Sequence, residues 1–307
     1  MDKFKKILFY ADGAKGEQFA LERAIELAGH NRASLTVVDV VAEVDTNDIR
    51  LAATMKKLQK ALIKERKDAL EAKVEAASAA TSKRPVRIRV VPGKDYIEII
   101  RMVIGQKFDL LVKSANKHSL LSAALFGNTD LALMRKCPCP VWIIKPGRRT
   151  KIDRILAAVD LSETPEAVQL ADRIVDIASG VANRESASLH LLNAWQTPFD
   201  PQVRHRIEGD DYVKLVKVMR EEARRRLSQL LAKCTAEHSD DHLVKGDPEM
   251  VITKFVRNNK VDLLIMGTMS RSGIPGFLIG NTAEKVLNNV DCSVLTLKPA
   301  DFKSPVV

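Results

Sequence analysis

The sequence predicts an α/β protein of two tandem domains, each a five-stranded parallel sheet flanked by helices in a doubly wound, Rossmann-like arrangement. Three observations predict it. The chain has 307 residues, about two domains of ordinary size. Short apolar runs alternate throughout with helical patterns, and parallel neighbours need helical crossovers. The chain also repeats itself. "ILFYAD" (7–12) lies over "ILAAVD" (155–160), and "VPGKDYIEIIRMVIGQKFDLLVKS" (91–114) over "VKGDPEMVITKFVRNNKVDLLIMG" (244–267). Gly127-Asn128-Thr129 then falls on Gly280-Asn281-Thr282, Cys139 on Cys292, and Lys145-Pro146 on Lys298-Pro299, with a constant offset of 153 residues from Val91 to Pro146. Ungapped matching over such a length, with its punctuation in step, marks a duplicated unit.

Each element follows from its local pattern. In the first half, an apolar run ending before Asp12 gives a strand near 5–11, and helical spacing gives a helix near 16–29. A second strand lies near 34–41. A long charged amphipathic stretch makes a helix near 47–80. Strands near 86–91 and 109–113 bracket a helix near 95–106, and a helix near 128–136 leads to a last strand near 140–145. The second half reads the same way. Its strands lie near 153–159, 187–195, 241–245, 261–266 and 293–298, and its helices near 164–178, 210–236, 248–258 and 281–289. The boundary falls at "PGRRTK" (146–151), where Pro, Gly and basic residues make an exposed linker. The domains are therefore 1–147 and 151–301.

Composition narrows the function. The net charge of +10 sits largely in "MKKLQKALIKERKD" and "KLVKVMREEARRRL", which read as solvated helix faces. No aromatic-interleaved basic motif accompanies it, so nucleic acid is not the expected partner. No stretch reaches membrane-spanning length, and the first residues lack the pattern of a secretory signal, so the expected location is cytoplasmic. The four cysteines lack metal-ligand spacing and read as reduced thiols, with Cys139 and Cys292 half-buried beside strands. The histidines are scattered. His190 reads as structural, and His242, close to His238, lacks two further ligands for a metal.

In a doubly wound sheet, ligands bind beyond the C-terminal ends of the strands, where strand order reverses. Asp160, Ala194, Trp195, Gly246 and Gly267 stand at those ends. "GTMSRSGIPGFLIGNTAEKVL" (267–287) then brings Gly280-Asn281-Thr282 to a helix N-terminus. Such a terminus offers unpaired N–H groups and partial positive charge. Gly280 has no Cβ to hold a phosphate off the backbone. Asn281 or Thr282 can cap the helix or donate to phosphate, and Arg271 can add charge. Gly-Asn-Thr before a helix is equally a capping arrangement, and at this level both readings stay open. The stretch is neither a Walker loop nor the Gly-x-Gly-x-x-Gly fingerprint.

These residues resemble the universal stress protein family. The family's ATP motif is Gly, two residues, Gly, nine residues, Gly, then Ser or Thr. Here it reads Gly267, Thr268-Met269, Ser270, nine residues, Gly280, Asn281. Both halves and the tail "KPADFKSPVV" resemble the tandem, two-domain (UspE-type) members. The resemblance implies an adenine nucleotide alpha hydrolase-like fold. It also implies ATP or a related adenine nucleotide in the C-terminal domain, with Asp160 and the backbone near Ala194 on adenine. Gly267, Ser270, Gly280, Asn281 and Thr282 would serve ribose and phosphates, and the phosphates could recruit Mg²⁺. It further implies that the last strands, 140–145 and 293–298, pair the two halves as an internal pseudo-dimer, beside a homodimer and unidentified protein partners. Ser270 departs from glycine and Asn281 from a hydroxyl. In the first half, "SANKHSLLSAALFGNT" puts Ser114 and Lys117 at the leading glycine positions. That half is expected to be degenerate, with Lys117 filling the crevice; a different anion held by Lys117 and His118 is the alternative. No catalytic set can be assigned, so a non-enzymatic stress-response module is expected, slow ATP hydrolysis aside. A nucleotide-free interaction protein and an enzyme acting on an adenylated substrate are the other readings.

Overall fold

The computed structural model describes residues 4–44, 48–78, 84–116, 125–147, 151–197, 209–268 and 280–306. The chain forms two compact units. One takes in Lys151–Asp301, the other Lys3–Thr150 together with Phe302–Val307.

The unit built from the first half contains β1 (Lys6–Tyr10), α1 (Glu17–Asn31), β2 (Ser34–Val41), α2 (Ile49–Ser78), β3 (Val86–Pro92), α3 (Asp95–Gln106), β4 (Leu110–Ser114), α4 (Asn128–Lys136) and β5 (Val141–Ile144). Its strands run in the order β3-β2-β1-β4-β5, all parallel. Strand order reverses between β1 and β4. β4 and β5 are buried along their whole length and β1 nearly so, because helices cover both faces of a parallel sheet. β3 alternates between half-buried and exposed residues, as an edge strand with a helix on one face does.

The second unit contains β6 (Arg154–Ala158), α5 (Pro165–Glu185), β7 (Ser188–Trp195), α6 (Gly209–Leu231), β8 (Ser239–Lys245), α7 (Pro248–Asn258), β9 (Leu263–Gly267), α8 (Asn281–Asn289) and β10 (Ser293–Leu297). Its order, β8-β7-β6-β9-β10, is the same winding. The repeat holds down to register: Tyr10 pairs with Lys113, and Ala158 pairs with Met266. The repeated aspartates do the same task twice. Asp109 accepts from Lys5 N at 2.7 Å and Lys6 N at 2.9 Å. Asp262 accepts from Asp153 N and Arg154 N, each at 2.9 Å. Each carboxylate thus fastens the start of its unit's first strand.

Gly93 and Gly246 end the third strand of each unit at φ 141° and 154°, where L side chains are strained. Each donates its N–H to the end of the second strand, Val41 O or Trp195 O, at 3.0 Å.

Some boundaries differ from the sequence reading. α5 continues to Glu185 rather than stopping near 178, because Ser179, Gly180, Val181 and Ala182 are buried and packing outweighs the glycine. It closes on Ser186 in the left-handed region. α6 ends at Leu231, short of 236. Cys139 and Cys292 are buried outright rather than half-buried. Among the described residues, no helix is long and apolar enough to cross a membrane.

Candidate functional site

At the C-terminal ends of β6 and β9, where strand order reverses, the second unit holds a crevice of ≈ 370 Å³. The floor is apolar. Ala158 and Met266 come from the sheet, Leu170 and Ile174 from α5, Ile252 from α7 and Ala283 from α8. They face the crevice because each helix turns its apolar stripe onto the sheet. α5 starts cleanly with Thr164 capping Ala167 N at 3.3 Å and Pro165 in the first turn. α7 starts likewise on Asp247, which accepts from Glu249 N and Met250 N.

The polar rim gathers six residues singled out by the sequence: Asp160, Ala194, Gly267, Gly280, Asn281 and Thr282. Asp160, exposed at the end of the first strand, accepts from Ser162 N at 3.0 Å through one oxygen. Among the described residues its other oxygen has no partner. Trp195 and Gly246, also at strand ends, do not line the crevice. Ser270 and Arg271 lie outside the described residues.

The helix N-terminus departs from expectation in one respect. Gly280 itself is the cap residue, so Asn281 and Thr282 are the first helical residues and neither caps. Among the described residues no side chain supplies the cap bond, and Asn281, Thr282 and Ala283 of the first turn line the crevice. Gly280 holds ordinary extended backbone at φ −72°. A Cβ there would meet Thr268 O at 3.5 Å, a normal contact. Glycine is therefore not demanded by the fold; its effect is to leave the approach to the helix end open.

Sequence reasoning missed Thr268, Lys298 and Asn193. Thr268 is fully buried and donates its N–H to Leu297 O at 3.0 Å. Its carbonyl accepts from Gly280 N at 2.8 Å, and its hydroxyl accepts from the buried Lys298 Nζ at 2.8 Å. Those bonds tie Thr268 to the end of β10 and Gly280 to Thr268. The repeated Lys-Pro was the available signal for Lys298. Asn193 Nδ2 donates to Val159 O at 2.9 Å, fixing β7 against the end of β6.

At the corresponding place in the first unit, a buried lysine meets two carboxylates. Lys113, fully buried, reaches Asp12 Oδ2 at 2.7 Å, Asp130 Oδ1 at 2.8 Å and Ser114 O at 2.8 Å. Lys117 and His118, named from the sequence as filling this crevice or holding an anion, lie outside the described residues.

Away from the crevice, His190 Nδ1 and His242 Nε2 stand 3.1 Å apart on β7 and β8, with Phe255 against both rings. His242 thus partners His190 rather than His238. Burial pushes both imidazoles below their usual pKa. Cys137 and Cys139 sulfurs lie 3.5 Å apart, and burial pushes the Cys139 thiol well up. Among the described residues, no three His, Cys, Asp or Glu side chains converge as metal ligands.

Comparison with known proteins gives the same two-part pattern. The sequence matches the Universal stress protein family twice, over residues 3–145 and 151–298. It is 30% identical to Universal stress protein E of Salmonella typhi, covering 100% of this chain and 98% of that protein. Against Universal stress protein E of Escherichia coli K12 the identity is 29%, with the same coverage. Among solved structures, a functionally unknown protein of Pseudomonas aeruginosa PAO1 superposes with a TM-score of 0.66 at 25% identity, over 97% of this chain and 94% of that one. A universal stress protein from Archaeoglobus fulgidus gives 0.59 at 18% identity, over 95% and 98%.

Proposed function

This chain is a tandem member of the universal stress protein family, and we propose that its second unit is an adenine nucleotide-binding module that changes shape or partners with its ligand. The observation that carries the reading is a helix N-terminus without a side-chain cap, opening on a crevice at the point of strand reversal. Backbone N–H groups and the helix dipole there favour a phosphate. The apolar floor suits a flat base, and Asp160 at the rim has an oxygen without a partner among the described residues, available to an adenine amino group or a ribose hydroxyl.

In this reading Asp160 and the Ala194 backbone hold the base. Gly267, Gly280, Asn281 and Thr282, with Ser270 and Arg271, serve the ribose and phosphates, and Mg²⁺ accompanies the phosphates. No residue is assigned to activate a water, so the module acts by binding, in the cytoplasm. A nucleotide-free interaction protein is the second reading; Ser270 in place of the motif's second glycine favours it. Calorimetric titration of ATP with Mg²⁺ into the full chain separates the two. About one equivalent bound supports the first. No binding leaves residues 267–282 as a turn and sends the search toward protein partners.

A further inference from the structure

The two units differ most where they should be most alike. Three residues lining the open crevice are Ala158, Met266 and Ala283. Register places Tyr10 at the position of Ala158 and Lys113 at that of Met266. Asp130, third residue of α4, stands where Ala283 is third in α8. Ser114 likewise takes the place of Gly267. Tyr10, Asp130 and Ser114 add bulk, and Lys113 and Asp130 each add a charge.

The added charges pair with one another. An ammonium has three donors, and Lys113 has three oxygens within 2.8 Å: Asp12 Oδ2, Asp130 Oδ1 and Ser114 O. Asp130 Oδ2 accepts from Asn116 N at 3.0 Å and from Gly127 N at 3.1 Å. That carboxylate thus sits at the N-terminus of α4, whereas the equivalent end of α8 has no side-chain cap among the described residues. Asn116 Nδ2 donates to Asp12 at 3.3 Å and joins the two acids. The surroundings are acidic as well. Tyr10 holds its proton far above the usual phenol range, through burial first and then the carboxylates Asp95, Asp12, Asp39 and Asp130. A polyphosphate approaching this crevice meets carboxylates, and Lys113, the cation at its base among the described residues, is already neutralised.

We infer that the Lys113–Asp130 pair is the resident occupant of the first unit's crevice, an internal cation and anion that close it to external nucleotides, so that the tandem chain offers one nucleotide site. Asp130 stands in for a phosphate at the helix end, and Lys113 stands in for the body of the ligand.

The inference rests on the nucleotide reading for its main readout, and a second readout separates the two. Tyr10→Ala, Lys113→Met and Asp130→Ala together install the residues of the open crevice and remove both charges of the pair at once. With ATP and Mg²⁺ titrated calorimetrically into the full chains, one equivalent is expected for the parent and two for the triple variant. Circular dichroism and retention of the first site report its fold. Two equivalents in the parent, or one in a folded triple variant, overturns the inference. If neither chain binds, or the variant does not fold, the decision falls to native-state amine acylation of the parent, mapped by mass spectrometry. A buried, paired Lys113 reacts about a hundredfold or more slowly than exposed Lys107, since it must wait for local opening; equal rates overturn the inference, and protection without nucleotide binding sinks only the nucleotide reading.

Discussion

Replacing Gly280 by leucine separates a phosphate site from a turn. The backbone there is extended at φ −72°, and a Cβ meets only Thr268 O at 3.5 Å. Leucine therefore enters without strain. Its cost to the fold is that of a poorer helix cap, about 1 kcal/mol, or roughly 2–4 °C in melting temperature for a unit of this size. Its side chain projects over the first-turn N–H groups of α8. A phosphate held there loses one charge-assisted hydrogen bond or more, about 1.5–3 kcal/mol each. Since 1.4 kcal/mol is about tenfold, ATP affinity falls by roughly ten- to a hundredfold. Titration calorimetry on the full chain reads the affinity, and a thermal melt reads the fold. Unchanged affinity in a protein that binds ATP refutes the site. A melting temperature lowered far beyond a few degrees refutes the view that glycine is there for access.

Other expectations test other parts of the molecule. Asp160→Ala weakens binding through the base, so its loss of affinity is larger for ATP than for inorganic triphosphate; equal losses on calorimetry dissociate Asp160 from the base. The second unit loses stability on acidification. Burial depresses the folded pKa of both His190 and His242; His242 and then Arg154 add to it at His190, against Asp240, and Arg224 adds to it at His242, against Asp240 and Asp241. The unfolded chain then takes up protons more readily, and stability falls as pH drops from about 6.5 through the folded values; melts from pH 8 to 5 of the parent and of His190→Gln/His242→Gln check this, the variant giving the flatter profile. Asp247→Ala removes a cap from α7 and costs about 1 kcal/mol, seen as a lower melting temperature of the second unit without change in ATP affinity.

The fold was legible because the chain states it twice. A repeat with constant offset fixes corresponding strands even where each pattern alone is ambiguous, and Tyr10 opposite Lys113 matches Ala158 opposite Met266. What escaped were features set by tertiary contact. The glycine at 180 signals a helix end locally, yet α5 passes through it because both flanks are buried. The rim of the crevice was visible, since Asp160, Gly267 and Gly280 carry spacing and punctuation. Its apolar floor was not, because Leu170, Ile174 and Ile252 are also what any amphipathic helix turns inward. Lys113 gave no warning: in "DLLVKS" it reads as the polar end of a strand, and its partners lie 101 and 17 positions away in sequence, at Asp12 and Asp130. Only the fold brings the three together.

The filled crevice has a consequence for how the chain responds to its surroundings. Whatever binds only the folded state stabilises it in proportion to the logarithm of its concentration. A crevice occupied by covalently attached groups contains no such concentration, so the stability of the first unit stands apart from the nucleotide supply. On the proposed nucleotide reading, the second unit, with its crevice open, rises and falls with that supply. One polypeptide would then carry one half of fixed stability and one whose stability follows its ligand.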